Sequence, residues 1–327
     1  MKRVAVKVAY LGENFHGSQR QPESRGLRTV ESEMLDKILL VDKVSPGQVD
    51  LRFASRTDAG VSALGNVVCF YTEFEDNDLL LRALNSVSDG VYYRAWAEVP
   101  EWFNPRMAAK RSYRYTCPSH RIDFERFAEA AKIFEGHHDF KRFAKVEEKY
   151  RNTVMAIDSV ETRMGDGVIE TDFVADYFLW NMIRRIMAAV MQVGRGTATV
   201  DDVLSKLDGD DGTFGLAKPG GLTLLDVSYG DVAFSHPMRC PYEKSIRQDT
   251  YRDALDSAFH GALRSHYFDR AWHDLPGREV EGGRSPPPER FPSAPGLGLA
   301  VVLHGPREDV NRDHDQDHQR DQHEIVR

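Results

Sequence analysis

The sequence predicts an α+β protein built from two related halves. The order strand, helix, strand, strand occurs twice, at 4–73 and again at 111–175, although no identity is visible between the two copies. The connections between the paired strands are short, and short connections favour antiparallel pairing. We therefore expect a mixed, largely antiparallel sheet flanked by helices.

The first half is assigned to 1–105. Its predicted elements, in order, are a strand at 4–10, a helix at 29–40, strands at 49–55 and 66–73, a helix at 76–86 and a strand at 91–98. In the first helix, Val30, Met34 and Ile38 recur at helical spacing, and Thr29 is a typical N-cap residue. These apolar residues should face the core.

The second half is assigned to 106–232. Its predicted elements are a strand at 110–117, a helix at 124–134, a hairpin at 152–163 and 167–175, an apolar helix at 178–193, a short helix at 200–207 and a strand at 222–229. On the first of these strands, alternation places Arg111, Tyr113 and Tyr115 on one face. That face is expected to carry one of the functional side chains.

Two further segments follow the halves. A helical extension is assigned to 233–276, because Leu255, Phe259 and Leu263 are spaced four residues apart within 251–268. The remainder, 277–327, is rich in glycine and proline and then acidic, a composition typical of disordered tails.

The composition is that of a globular protein, with 41% hydrophobic residues available for a core. No apolar run reaches the roughly 18 residues needed to span a bilayer, and the alternating first ten residues lack the apolar block of a signal peptide. Cys69, Cys117 and Cys240 form no CxxC pair, so neither a disulfide framework nor a zinc site is indicated. A cytoplasmic location is the expectation.

The net charge of -8 argues against nucleic-acid binding when it is averaged over the chain. Basic residues nevertheless cluster at 106–114, 141–151 and 184–195, whereas acidic residues concentrate at 201–211 and near the end of the chain. A basic channel on an acidic body fits both observations. Ordinary solvated charge is the alternative.

A short connection between two predicted strands carries the most informative residues. The run SRTDAGVSA at 55–63 places a carboxylate, Asp58, beside small residues that leave room for a planar substrate. Reactive groups are often carried by loops on a rigid scaffold. The alternative is a simple turn, in which Asp58 accepts backbone hydrogen bonds and Gly60 supplies a positive φ.

This run and several others, in the same order, resemble motifs of the TruA family of tRNA pseudouridine synthases. The others are YLGENFHGSQRQP at 10–22, LNS at 84–86, FNPR at 103–106, AKRSYRY at 109–115, GHHDF at 136–140, FLWNMIR at 178–184, VGRG at 193–196 and GGLTL at 220–224. The resemblance spans roughly 3–230. The sequence departs from the family pattern at Ser18, at Ser62 and at the pair Trp180-Asn181.

The resemblance implies a pseudouridine synthase fold with an RNA-binding cleft between the halves. It also implies isomerisation of uridine at positions 38, 39 and 40 of the tRNA anticodon stem-loop, by a homodimer without a cofactor. Asp58 is then the nucleophile, Tyr113 contacts the uracil and Arg184 pairs with Asp58. An arginine can hold a carboxylate through two parallel hydrogen bonds, and we expect that geometry, with Arg185 facing solvent or RNA.

Further residues are implied to contact the RNA, and Arg56 is the candidate for holding the flipped nucleotide. The full substrate-binding set is Tyr113, Arg56, Phe15, Gln19, Arg20, Arg106, Lys110 and Arg111. No metal ligands are assigned, because adjacent residues such as His137, His138 and Asp139 do not easily reach one ion from a strand.

Two alternatives from other functional classes remain open. The first is a catalytically inactive RNA-binding or RNA-chaperone protein on the same scaffold. The second is a hydrolase with a carboxylate pair, such as a glycosidase, which requires a second carboxylate near Asp58. The sequence offers no obvious partner of that kind.

Overall fold

The computed structural model describes residues 1–22, 25–146 and 152–237, together with Thr250, Asp253 and Phe259. Most of the predicted extension at 233–276 and the whole tail at 277–327 lie outside the described residues. The division of the chain at 105 and 106 stays a prediction. Within the described part, no helix is long and apolar enough to cross a membrane.

One mixed sheet organises the described residues. Its strands are β1 (Lys2–Tyr10), β2 (Arg52–Phe53), β3 (Ser62–Thr72), β4 (Val91–Val99), β5 (Lys110–Pro118), β8 (Ser159–Met164), β9 (Val168–Ala175) and β10 (Leu222–Ser228). Two further strands, β6 (Gly136–Asp139) and β7 (Val154–Ile157), pair with each other in a separate sheet. The main order is β4-β1-β3-β10-β5-β9-β8, with β2 paired to β3. The pairings are antiparallel except that between β10 and β3. The predicted α+β class with a largely antiparallel sheet is confirmed.

The parallel pair β3–β10 joins the strands of the two halves. Thr223 lies opposite Ser62 and Leu224 opposite Ala63, so the pairing occurs where β3 begins, immediately after the run that carries Asp58. On its other side, β10 pairs with β5. The sheet therefore brings the candidate loop of one half beside the functional strand of the other.

The helices pack in pairs that cover the sheet. They are α1 (Val30–Val41), α2 (Pro46–Val49), α3 (Asn77–Val87), α4 (Phe124–Lys132), α5 (Met182–Gly194) and α6 (Val200–Leu207). Helix α1 contacts α3, and α4 contacts α5. As predicted, Thr29 caps α1: its hydroxyl accepts a hydrogen bond from the Ser32 N–H at 3.1 Å. Val30, Met34 and Ile38 are fully buried.

Three predicted boundaries are wrong for identifiable reasons. The strand expected at 49–55 shortens to β2, because Pro46 starts the single turn α2 and Asp50, at φ 44°, ends it. The strand expected at 152–163 breaks at Asp158, whose N–H donates to the Val174 carbonyl. Its first part, β7, pairs with β6 instead of with β9. Helix α5 begins at Met182 rather than at 178, because Asn181 adopts φ 62°.

Tyr10, at the end of β1, ties the sheet to the loop that carries Asp58. Its hydroxyl lies 2.9 Å from the Thr57 hydroxyl and accepts a hydrogen bond from Asn66 at 3.1 Å. Tyr10 is 3% exposed. Burial raises the pKa of Tyr10 to about 12, although the two hydrogen bonds partly oppose the rise.

We predict that this phenol makes the fold sensitive to alkali. Because the pKa of Tyr10 is raised in the folded state, its contribution to stability is fully present below pH 10 and is lost as the pH rises through about 12. That contribution is about 2 to 3 kcal/mol. Tyr10→Phe should therefore flatten the fall in unfolding free energy between pH 10 and pH 12, measured by urea titration. The control is Tyr177→Phe, at a tyrosine that is 42% exposed. Identical pH profiles for the wild type and Tyr10→Phe would contradict the assignment.

Candidate functional site

Asp58 projects from a tight loop between β2 and β3 that is held in place by hydrogen bonds and close packing. The Val61 N–H donates to the Asp58 carbonyl at 3.1 Å, and Gly60 adopts φ 81°. Ser18, fully buried, accepts a hydrogen bond from the Thr57 N–H at 2.9 Å. A Cβ on Gly12 would lie 2.4 Å from the Gly60 and Val61 carbonyl carbons. The segment at 12–18 can therefore approach the loop only because residue 12 is glycine.

Arg184, on the first turn of α5, reaches Asp58 from the other half of the sheet. Its Nη1 donates to Asp58 Oδ2 at 2.9 Å, across 126 residues of sequence. The Arg184 side chain is 12% exposed and that of Asp58 is 35% exposed. A guanidinium so nearly buried needs a partner, and the carboxylate provides one. The predicted proximity of these two residues is confirmed.

The predicted geometry of two parallel hydrogen bonds between Arg184 and Asp58 is wrong. The Arg184 Nε donates instead to the Ala217 carbonyl at 2.9 Å, while the Ala217 N–H donates to the Arg184 carbonyl at 3.0 Å. Nη1 also lies 3.4 Å from Asn181 Oδ1. These contacts fix the guanidinium, and among its nitrogens Nη1 alone donates a hydrogen bond to Asp58.

Sequence reasoning missed Trp180 as a partner of the nucleophile candidate. Its indole Nε1 donates to Asp58 Oδ1 at 3.2 Å, so each carboxylate oxygen accepts one hydrogen bond. Trp180 is 44% exposed and lies in the turn before α5. The sequence did give a signal at this place, because Trp180-Asn181 departs from the family pattern.

Tyr113 lies beside this pair on β5, with its ring packed edge-on against Phe178 at a centroid distance of 5.3 Å. It is 8% exposed. Burial raises the pKa of the Tyr113 hydroxyl above its usual value, and the nearby charge of Asp58 adds to the rise, while a hydrogen bond with Ser55 opposes it. The phenol therefore stays protonated at neutral pH.

Three of the predicted substrate-binding residues line one cavity. Gln19, Arg56 and Arg106 surround a volume of about 360 Å³ together with Arg52 and Asn104, which sequence reasoning missed. All five of these side chains lie at exposed positions, and Glu31 supplies the acidic part of the wall. Since Arg56 is two residues from Asp58, one wall of this arginine-lined cavity comes from the loop that carries the candidate nucleophile.

Arg20, from the same predicted set, is also exposed. Its backbone N–H donates to Glu31 Oε2 at 2.8 Å, and this hydrogen bond links Arg20 to α1. Gln19 and Arg20 are both exposed, and their contact with RNA stays a prediction.

Phe15, Lys110 and Arg111 each make contacts within the protein, and their direct contact with RNA stays a prediction. Phe15 is 3% exposed. The Lys110 ammonium donates to Asp158 and Asp176, each at 2.6 Å, and these carboxylates raise its pKa.

Arg111 is 8% exposed and is held on all sides. Its guanidinium donates to the Ser55 hydroxyl and to the Ala54, Arg106 and Asp176 carbonyls. Because Ala54 and Ser55 immediately precede Arg56, this cation braces the loop of Asp58 against β5.

Metal chemistry has no obvious place in the described part of the chain. No group of three or more histidine, cysteine or carboxylate side chains there is close enough to hold an ion. His138 Nε2 instead lies 3.0 Å from the Glu135 carbonyl.

Comparison with known proteins gives a consistent result. A family model described as tRNA pseudouridine synthase matches residues 130–230. Proteins named tRNA pseudouridine synthase A from Methanosarcina acetivorans and Pyrococcus abyssi are each 38% identical to this chain, over 234 and 236 residues. These alignments cover 70% and 71% of this chain, and 85% and 86% of the two relatives.

A third protein of that name, from Archaeoglobus fulgidus, is 36% identical over 237 residues, which is 72% of this chain and 86% of the relative. Among solved structures, a Cbf5–Nop10–Gar1 complex matches 57% of this chain and 45% of its own at 16% identity, with a TM-score of 0.28. So distant a likeness carries no argument.

We predict that Arg111 is a structural brace rather than a surface cation. Arg111→Met should lower the free energy of unfolding by about 3 kcal/mol, because several buried acceptors lose their donor. Arg106→Met, at an exposed position, should change it by less than about 0.5 kcal/mol. Urea titration of both variants is the measurement. Small and equal losses of unfolding free energy in the two variants would contradict a structural role for Arg111.

Proposed function

The chain belongs to the TruA family of tRNA pseudouridine synthases, and on that basis we propose that it converts uridine to pseudouridine at positions 38, 39 and 40 of the tRNA anticodon stem-loop. Asp58 is the nucleophile. The observation that carries this proposal is the 2.9 Å ion pair between Asp58 and Arg184. It supports the proposal because it holds the carboxylate in one orientation at a partly open position, where a nucleotide can reach it.

The reaction is an isomerisation, so its atoms balance without an external reagent. The N1–C1′ bond of uridine breaks, the uracil turns, a C5–C1′ bond forms, and the proton on C5 is replaced by one on N1. An Asp carboxylate can act through a covalent intermediate, formed at C1′ of the ribose or at C6 of the ring. The chemistry itself requires no redox or metal cofactor.

Orientation of the carboxylate is the contribution of Arg184. Its guanidinium is fixed by Ala217, so Asp58 Oδ2 always meets the same donor at the same angle. Because the reactive oxygen is held in one place, less rearrangement is needed to reach the geometry of attack.

Tyr113 contributes its ring to the pocket for the uracil. Since burial raises the pKa of its hydroxyl, the neutral phenol is the form present at pH 7. Its role is then to contact the base and to donate a hydrogen bond. It accepts the C5 proton only in its deprotonated form, which requires that a base has first taken the phenol proton.

The arginine-lined cavity provides a path for the RNA backbone. Enzymes that modify a base in a stem must flip it out of the stack, at a cost of a few kcal/mol. Arg56 adjoins Asp58 and is placed to hold the strand near the flipped nucleotide, while Arg106, Arg52 and Gln19 continue the contact. Arginine forks suit phosphate oxygens.

We further propose that the enzyme acts as a homodimer in the cytoplasm. Resemblance to the family supports this. The competing function is an inactive RNA-binding protein on the same scaffold. The pairing of Asp58 with Arg184 favours the enzyme, because RNA binding alone does not require an oriented carboxylate beside a partly open pocket.

The test is to incubate the protein with unmodified tRNA and to map pseudouridine by position. We expect product at 38, 39 or 40 with the wild type and none with Asp58→Asn. The variant should still bind tRNA within a few-fold, because phosphate contacts supply most of the affinity. Asp208→Asn, at an exposed position, is the matched control and should resemble the wild type.

Two results would contradict the proposal. Turnover by Asp58→Asn near the wild-type rate would remove Asp58 as the nucleophile. Tight tRNA binding by the wild type without any pseudouridine would favour the inactive RNA-binding protein.

A further inference from the structure

The indole of Trp180 holds the oxygen of Asp58 that Arg184 leaves free. Arg184 binds Oδ2 at 2.9 Å, and the Trp180 Nε1–H binds Oδ1 at 3.2 Å. A carboxylate held at one oxygen can still swing about its Cβ–Cγ bond. Held at both oxygens, by donors from one turn of chain, its plane is fixed.

The turn before α5 aims the indole at Asp58. Asn181, which follows Trp180, adopts φ 62° and ψ 7°, a left-handed conformation that asparagine tolerates better than most residues. Its side-chain oxygen lies 3.4 Å from Arg184 Nη1. The same short turn therefore orients both donors to the carboxylate.

Lys145 covers the face of the same indole. Its ammonium nitrogen lies 3.9 Å from the centre of the Trp180 ring, and its backbone N–H donates to the Trp180 carbonyl at 2.8 Å. A cation over an aromatic face is attracted to the ring electrons. By drawing electron density toward itself, it also makes the N–H at the ring edge a stronger donor.

We propose that Trp180 and Lys145 are positioning residues for the nucleophile. Trp180 fixes Oδ1 of Asp58, and Lys145 acts through the Trp180 ring by strengthening that N–H. The proposal rests on the proposed function of Asp58. It adds a second, independent restraint on the carboxylate, supplied by residues that do not need to touch the reacting atoms.

The first test separates the donor from the ring. Trp180→Phe keeps an aromatic ring for Lys145 but removes the N–H, whereas Trp180→His keeps an N–H, because imidazole Nε2 can take the position of indole Nε1. We expect the single-turnover rate at saturating tRNA to fall by about 10- to 100-fold in Trp180→Phe, within the range for a hydrogen bond to a charged group. Trp180→His should recover most of the loss.

The dissociation constant for tRNA distinguishes a positioning role of Trp180 from a structural role or a direct contact with RNA. It should stay within about twofold of the wild type in both variants, because the lost contact is internal. Trp102→Phe, at a tryptophan that is 79% exposed, is the matched control and should have no effect.

The second test asks whether Lys145 acts through the ring or on the RNA. Lys145→Met should lower the single-turnover rate by about two- to fivefold, the range for an exposed cation–π contact. In the Trp180→Phe background it should have no further effect, because the N–H that it strengthens is absent. Lys43→Met, at an exposed lysine near the end of α1, controls for the loss of one charge.

Each outcome decides the proposal. A rate loss in Trp180→Phe with recovery in Trp180→His, and a non-additive Lys145→Met, support it. An unchanged rate in Trp180→Phe overturns it. So does a Lys145→Met variant that weakens tRNA binding equally in both backgrounds, because Lys145 would then contact phosphate directly. Absence of pseudouridine with the wild type would instead reject the proposed function.

Discussion

The ion pair between Asp58 and Arg184 is the interaction on which the rest of the site depends. It joins a loop of the first half to a helix of the second, 126 residues apart. The parallel pairing of β3 with β10 brings the two together, and the reciprocal hydrogen bonds between Arg184 and Ala217 keep the guanidinium in place. Because Asp58 and Arg184 lie far apart along the chain, the Asp58 carboxylate is oriented in this way only once the sheet has assembled.

The same structure shows which cations of a chain with a net charge of -8 are paired within the protein. Many cations are consumed internally: Arg114 pairs with Asp172 at 2.7 Å, Lys110 with two carboxylates, and Arg111 with buried carbonyls. Arg56 and Arg106 are among the arginines that stay exposed, and both line the arginine-lined cavity. Charge counts along the sequence therefore say less about RNA contacts than the partners of each cation do.

The sequence predicted the fold class, most strands and helices, and the pairing of Asp58 with Arg184. It failed where one residue changes the local backbone, as at Asp50 and Asn181, whose left-handed conformations no periodic pattern reveals. It also assigned Arg111 to the surface, because alternation along a strand gives the face but not what covers that face. Trp180 was missed because only the folded turn shows where its N–H points.

A comparison of Arg184→Lys with Arg185→Lys in single-turnover assays tests the central claim most directly. A lysine at 184 keeps the charge but cannot bond both Ala217 and Asp58 as the guanidinium does. The account predicts a rate at least ~10²-fold lower for Arg184→Lys, with tRNA affinity retained, because small misplacements of reacting groups are costly. Arg185→Lys, whose partner is Thr213 at 3.5 Å, should be nearly silent. Equal effects at the two positions would contradict the account.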